Sequence, residues 1–146
     1  MSDAERSIRI ANTAAMIKQM RRLGIKLVNG IYELVDNSSD ADSRTIWAHL
    51  DSRDGPWRII VADDGCGIPE DHDSDDPGMP HGTDGIVHAL RYGGRIPLPS
   101  IRPSTGRFGF GLTQTAFCLS DRTVAYSKVP GGRWRRAVLD LSLIHI

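Results

Sequence analysis

The sequence predicts an α+β fold, a two-layer sandwich with a helical layer on one sheet. Three observations predict it. Two amphipathic helical segments come before any strand. Two pairs of short β-rich segments are each joined by a tight Gly/Pro turn, which makes them antiparallel hairpins. The helices are grouped outside those hairpins, so they form a layer of their own. The chain of 146 residues suffices for one domain, and a domain of this length buries about 70% of its unfolded surface.

Each element follows in order. Residues 3–22 read as an amphipathic helix, because Ile10, Ala14, Ile17 and Met20 recur at helical spacing and Lys18, Arg21 and Arg22 lie off that stripe. Gly24 marks its stop. Its basic cluster, with Lys26, reads as a solvated helix face rather than a nucleic-acid contact. A second helix runs from about Ile25 to Ser39 on the apolar residues Leu27, Val28, Ile31, Leu34 and Val35. "TIWAHL" alternates as a strand with Ile46, Ala48 and Leu50 on one face. Gly55-Pro56 makes the turn, and "WRIIVA" (57–62) reads as a more fully buried strand. Residues 70–107 are rich in proline, glycine and acids, and read as a long loop with one short helix around Ile86–Arg91. A further helix is expected from near Phe110 to near Ser120. "RTVAYSKV" and "RWRRAVLDL" then form the second hairpin around Pro130-Gly131-Gly132.

The totals exclude several classes of function. Lys plus Arg equals Asp plus Glu at 18 each, so no global field recruits nucleic acid or anionic membrane. Cys66 and Cys118 make neither a disulfide framework nor a metal-ligand spacing, which points to a reducing compartment. No apolar run approaches the roughly 20 residues of a membrane span. The expected localisation is cytoplasmic, with no membrane partner. Asp71, His72, Asp73, Asp75 and Asp76 read as a solvated loop rather than a metal cluster. His49, His81 and His88 have no partner at ligand spacing.

Three stretches carry chemistry. In "ELVDNSSDA" (33–41) a step of four residues advances about 40° around a helix, so Glu33, Asn37 and Ala41 share a strip that Gly30 extends by one turn. A carboxylate and an amide one turn apart suit a hard cation and an oriented water. A helix end with solvated acids explains the same residues equally well. In "VADDGCGIP" an acid leaves a strand and Gly-x-Gly follows, which lets a backbone approach a flat ligand. Asp63 would pair with an exocyclic amine there, against a plain Asp-Gly turn. In "GRFGFGL" (106–112) glycines open a helix whose free N–H groups can cradle phosphates, with Arg107 as a nearby cation or a solvent cap.

In this order and at this spacing, the three stretches resemble the GHKL ATPase superfamily: DNA gyrase B subunits, ninety-kilodalton heat-shock chaperones, MutL and MORC proteins, and histidine kinases. The resemblance covers most of residues 25–128 and is closest in style to the MORC, MutL and gyrase side. It implies the Bergerat ATP-binding fold, with helices on one face of a mixed, mostly antiparallel sheet, over residues 1–140, and a lid at 70–107. The lid expectation is supported by "HALRYGGR", which is similar to gyrase-type lids.

By the same resemblance Glu33 is the general base, Asn37 the Mg²⁺ ligand and Asp63 the contact to the adenine amino group. Gly65 and Gly67, with Ala41 and Ile68 beside them, shape the base pocket. Gly106, Arg107, Phe108, Gly109, Phe110, Gly111 and Leu112 form the phosphate side. The implied cofactors are ATP and Mg²⁺. The implied activity is ATP hydrolysis that drives conformational change or homodimerisation of a larger protein with a protein or nucleic-acid client. A histidine kinase catalytic domain and a non-hydrolysing, ATP-gated interaction module are the alternatives. The family pattern continues with another strand after Asp140, so residues 141–146, "LSLIHI", are expected to be a non-native tail on a truncated domain.

Overall fold

The computed structural model describes residues 12–53, 55–70, 84–94 and 110–143. Helix α1 (Thr13–Leu23) starts where the Asn12 side chain accepts from the Ala15 N–H, satisfying one of the amides a helix start leaves open. It ends at Gly24, whose φ of 69° suits a residue without Cβ. The expected start near residue 3 lies outside the described residues. Helix α2 (Leu27–Asp40) follows, then strands β1 (Ile46–Asp51) and β2 (Arg58–Asp63), the short helix α3 (Gly85–Ala89), helix α4 (Gly111–Leu119), and strands β3 (Arg122–Ser127) and β4 (Arg135–Asp140). A 3₁₀ turn closes the series at Leu141–Leu143.

Both strand pairs are antiparallel hairpins, and they form two two-stranded sheets with no ladder between them among the described residues. What joins them is the segment after β2. Its Ile68 N–H donates to Ser127 Oγ at 2.7 Å, and Gly67 packs on the Lys128 carbonyl. The fold is thus helices plus antiparallel strands, as the residue pattern implies.

Two apolar clusters hold the layers together. Ile17 of α1, Phe117 of α4 and Leu141 form one, with Met20 and Leu139 against it. Ile86 and Leu90 pack on Ala137 of β4 in the other, joined by Ile68, Leu112, Ala125 and Leu139. Leu139 touches both, so β4 is the common wall. Leu141 is only 3% exposed and its N–H bonds the Asp121 carbonyl at 2.8 Å, which anchors the start of the "LSLIHI" stretch. Residues 144–146 lie outside the described residues.

Two packing expectations need correction. "WRIIVA" is not a more fully buried strand: Ile60 is 51% exposed while Ile59 and Val61 are half-buried. In a two-stranded hairpin only the face carrying Ile59 and Val61 is half-buried, and Ile60 on the other is left to solvent. Leu27 and Val28, two of the apolar residues on which the helix was read, are 44% and 48% exposed. The buried positions of α2 are instead Gly30 and Ser38.

Candidate nucleotide site

The site is organised by α2 and by the turn after β2. At Gly30 a Cβ would come within 2.5 Å of Leu119 Cδ1 and 3.1 Å of Thr115 Cγ2, so α2 and α4 cross closely only because this residue has no side chain. One turn further along α2, Glu33 lies against the other end of α4. A Cβ at Gly111 would fall 2.1 Å from Glu33 Oε2. The helices therefore run antiparallel, and the Glu33 carboxylate sits beside the first residue of α4. Among the described residues that end has no side-chain cap, so its N–H groups and positive dipole end favour negative charge.

Asp63 at the end of β2 is oriented by two donors. The Gly65 N–H donates to its Oδ1 at 2.9 Å, and the Ser38 hydroxyl lies 3.0 Å from Oδ2 and 3.1 Å from the Leu34 carbonyl. Each carboxylate oxygen can accept more than one bond, so Asp63 is held in place with acceptor capacity left over. That suits the exocyclic amine of adenine. Asn37 lies next to Ser38 on α2 and is exposed, and its side chain has no hydrogen-bond partner among the described residues. No three His, Cys, Asp or Glu side chains converge on a metal position among the described residues. A divalent cation at Asn37 would therefore need oxygens from phosphate and water as well, which is how Mg²⁺ is commonly held. An exposed amide oxygen without a protein partner among the described residues suits that role.

The glycines of "DDGCGIP" serve the chain's own backbone. A Cβ on Gly65 would approach Ala41 Cβ and its carbonyl oxygen to 2.7 Å, and the Cys66 N–H donates to that carbonyl at 2.9 Å. Gly67, at φ 71°, would drive a Cβ to 2.2 Å from the Lys128 carbonyl oxygen. The turn is thus wedged between the end of α2 and the β3–β4 connection. This places Ala41, Gly65, Gly67 and Ile68 in one wall beside Asp63. Burial pushes the Cys66 thiol up from its ordinary value, with smaller contributions from the Asp42 and Asp63 charges.

On the phosphate side, Phe110, Gly111 and Leu112 are at the start of α4, while Gly106, Arg107, Phe108 and Gly109 lie outside the described residues. Phe110 packs against Tyr92, with ring centroids 4.6 Å apart and the planes tilted by 33°. Of the 70–107 segment, Asp84–Gly94 is docked on the second hairpin through buried Ile86 and Leu90. Residues 71–83 and 95–109, including the acidic run from Asp71 to Asp76, lie outside the described residues.

Three contributing residues went unread in the sequence. Ser38 was hidden as one serine of a pair, although its place beside Asn37 on α2 was the available signal. Asp64 accepts the Arg44 and Thr45 N–H groups at 2.7 and 2.9 Å. Those backbone bonds, Thr45 first, hold its carboxyl below the ordinary value, so the second acid of "DDG" pins the α2–β1 loop. Arg135, 12% exposed in its side chain, donates to the Ile68 and Pro69 carbonyls and to Asp84. Asp84 in turn caps α3 through the Ile86 N–H. Nothing in "RWRRAVLDL" singles out which arginine turns inward.

A family model described as histidine kinase-, DNA gyrase B-, and HSP90-like ATPase matches residues 25–145. No curated protein and no solved structure is matched. Among the described residues no helix is long and apolar enough to cross a membrane.

Proposed function

Because the chain belongs to the histidine kinase-, DNA gyrase B- and HSP90-like ATPase family, an ATP-binding family, we propose that it takes Mg·ATP at this site and hydrolyses it. The observation that carries the reading is the reach of one helix. Helix α2 sets Glu33 beside the N-terminus of α4 and Ser38 on Asp63, so a single rigid element spans the distance between a phosphate-binding helix end and a base-reading carboxylate.

In this reading Asp63, held by Ser38 and Gly65, accepts from the adenine amino group, and the Ala41–Ile68 wall shapes the base pocket. The N–H groups at the start of α4 bind the phosphates in this reading, and Gly106, Arg107, Phe108 and Gly109 are assigned to the same side by the resemblance alone. Asn37 holds Mg²⁺, which when bound neutralises phosphate charge. Glu33 orients a water and takes its proton. The ATP-binding domain spans 1–140, and 70–107 acts as a lid about the docked Asp84–Gly94 piece. The domain works in the cytoplasm, driving conformational change or homodimerisation of a larger protein.

Calorimetry with ATP, GTP and tripolyphosphate tests the site. Asp63→Asn should weaken ATP by about 1–3 kcal/mol, the cost of mispairing a donor or acceptor that the bound base would cover, and leave tripolyphosphate unchanged. Equal binding of ATP and GTP to the unaltered protein would remove Asp63 as the adenine reader.

A further inference from the structure

The outer face of the second hairpin carries exposed rings and exposed cations. Pairing sets Val124 opposite Val138 and Tyr126 opposite Arg136. All four are exposed, while the alternate residues Ala125, Ser127, Ala137 and Leu139 turn inward. Tyr126 is 64% exposed. Trp134, just before β4 and two residues from Arg136, the register partner of Tyr126, is 71% exposed. Exposed cations adjoin these rings in the chain and, for Arg136, in register. Lys128, Arg133 and Arg136 are exposed and have no carboxylate in ion-pair range among the described residues. At the far end Arg122 only loosely shares Asp140, at 3.9 Å.

We propose that this face binds single-stranded nucleic acid, with Tyr126 and Trp134 stacking bases and Lys128, Arg133 and Arg136 contacting phosphates. Flat exposed rings between cations are what unpaired bases on a phosphate backbone require. In a duplex the bases are already stacked, and the two rings would have nothing to stack on. An acidic peptide would use the cations but gain no base stacking. A second copy of the same face would set like charges against each other. The six-residue strands span about 20 Å, room for a few nucleotides. The inference concerns a surface outside the ATP site, and its test uses no nucleotide triphosphate, so it stands or falls separately.

The test is fluorescence anisotropy of a labelled oligo-dT or oligo-U with the whole chain, alongside its tryptophan emission. Saturable binding that weakens with salt is expected, together with quenching that Trp134→Phe abolishes although Trp47 and Trp57 remain. Trp134→Ala and Tyr126→Ala should each weaken binding about tenfold without changing the salt slope. Arg136→Ala should weaken binding and lower that slope by about one phosphate's worth. The exposed positions of these residues let the variants keep the wild-type melting temperature. Four results would each overturn the proposal: binding indifferent to Trp134→Ala and Tyr126→Ala, equal or tighter binding of duplex or polyglutamate, preferential binding to anionic vesicles, or self-association through this face.

Discussion

Replacing Ser38 with alanine removes one hydroxyl from a buried position and leaves no cavity larger than an atom. In the structure that hydroxyl is 3.0 Å from Asp63 Oδ2. A hydrogen bond to a charged group contributes about 1.5–3 kcal/mol. Asp63 itself is exposed, so water replaces part of the loss, and the Gly65 N–H still holds Oδ1 at 2.9 Å. The net loss of orientation should then cost about 1–2 kcal/mol, equivalent to roughly 5- to 30-fold weaker binding of adenine nucleotides. Titration calorimetry of ATP, ADP and tripolyphosphate reads this directly. ATP and ADP should weaken together while tripolyphosphate is unchanged. If ATP affinity holds, or tripolyphosphate weakens equally, Ser38 does not work through Asp63 and the base-reading assignment fails with it.

Two further outcomes concern the fold. Leu141→Ala should lower unfolding free energy by about 2–5 kcal/mol in denaturant titration, the usual range for emptying a buried leucine site, because Leu141 fills the cluster with Ile17 and Phe117; an unchanged midpoint would mean that the turn is not part of the core. For Asp64→Asn the stability difference from wild type should depend on pH. The folded-state pKa is lowered from 3.8, so the carboxylate's contribution is present above that value and lost as pH falls through the lower, folded-state one. Melting curves should show a steady gap from about pH 5 upward that closes at more acidic pH, whereas a gap that widens on acidification would reverse the assignment.

The polar strip of α2 was legible because helix period alone sets Gly30, Glu33 and Asn37 on one side, and Gly30 and Glu33 do meet α4. Both hairpins were legible from alternation and turn residues, and their registers keep Ala125 and Ala137 inside. Burial was less legible. The run "RIIVA" looks like an interior strand, but whether Ile60 is covered depends on how many strands flank it, which periodicity does not report. Ser38, Asp64 and Arg135 act through partners distant in sequence, such as the 63–69 segment for Arg135, and a local pattern cannot display such pairings. The glycines of "DDGCGIP" were legible as sites of close approach. That the approach is to Ala41 and Lys128 could come only from the tertiary arrangement.

The central claim is that α2 divides its labour, with Glu33 acting on water and the Asn37–Ser38 end holding the nucleotide. The most direct measurement pairs calorimetry, using a non-hydrolysable ATP analogue, with phosphate release for Glu33→Ala and Asn37→Ala. For Glu33→Ala the account predicts analogue affinity near that of the wild type and release reduced by about 10²–10⁴-fold, the usual contribution of a positioned base, while Asn37→Ala loses affinity for the Mg²⁺ complex. Analogue binding lost equally in both variants, or release that survives Glu33→Ala, would contradict it.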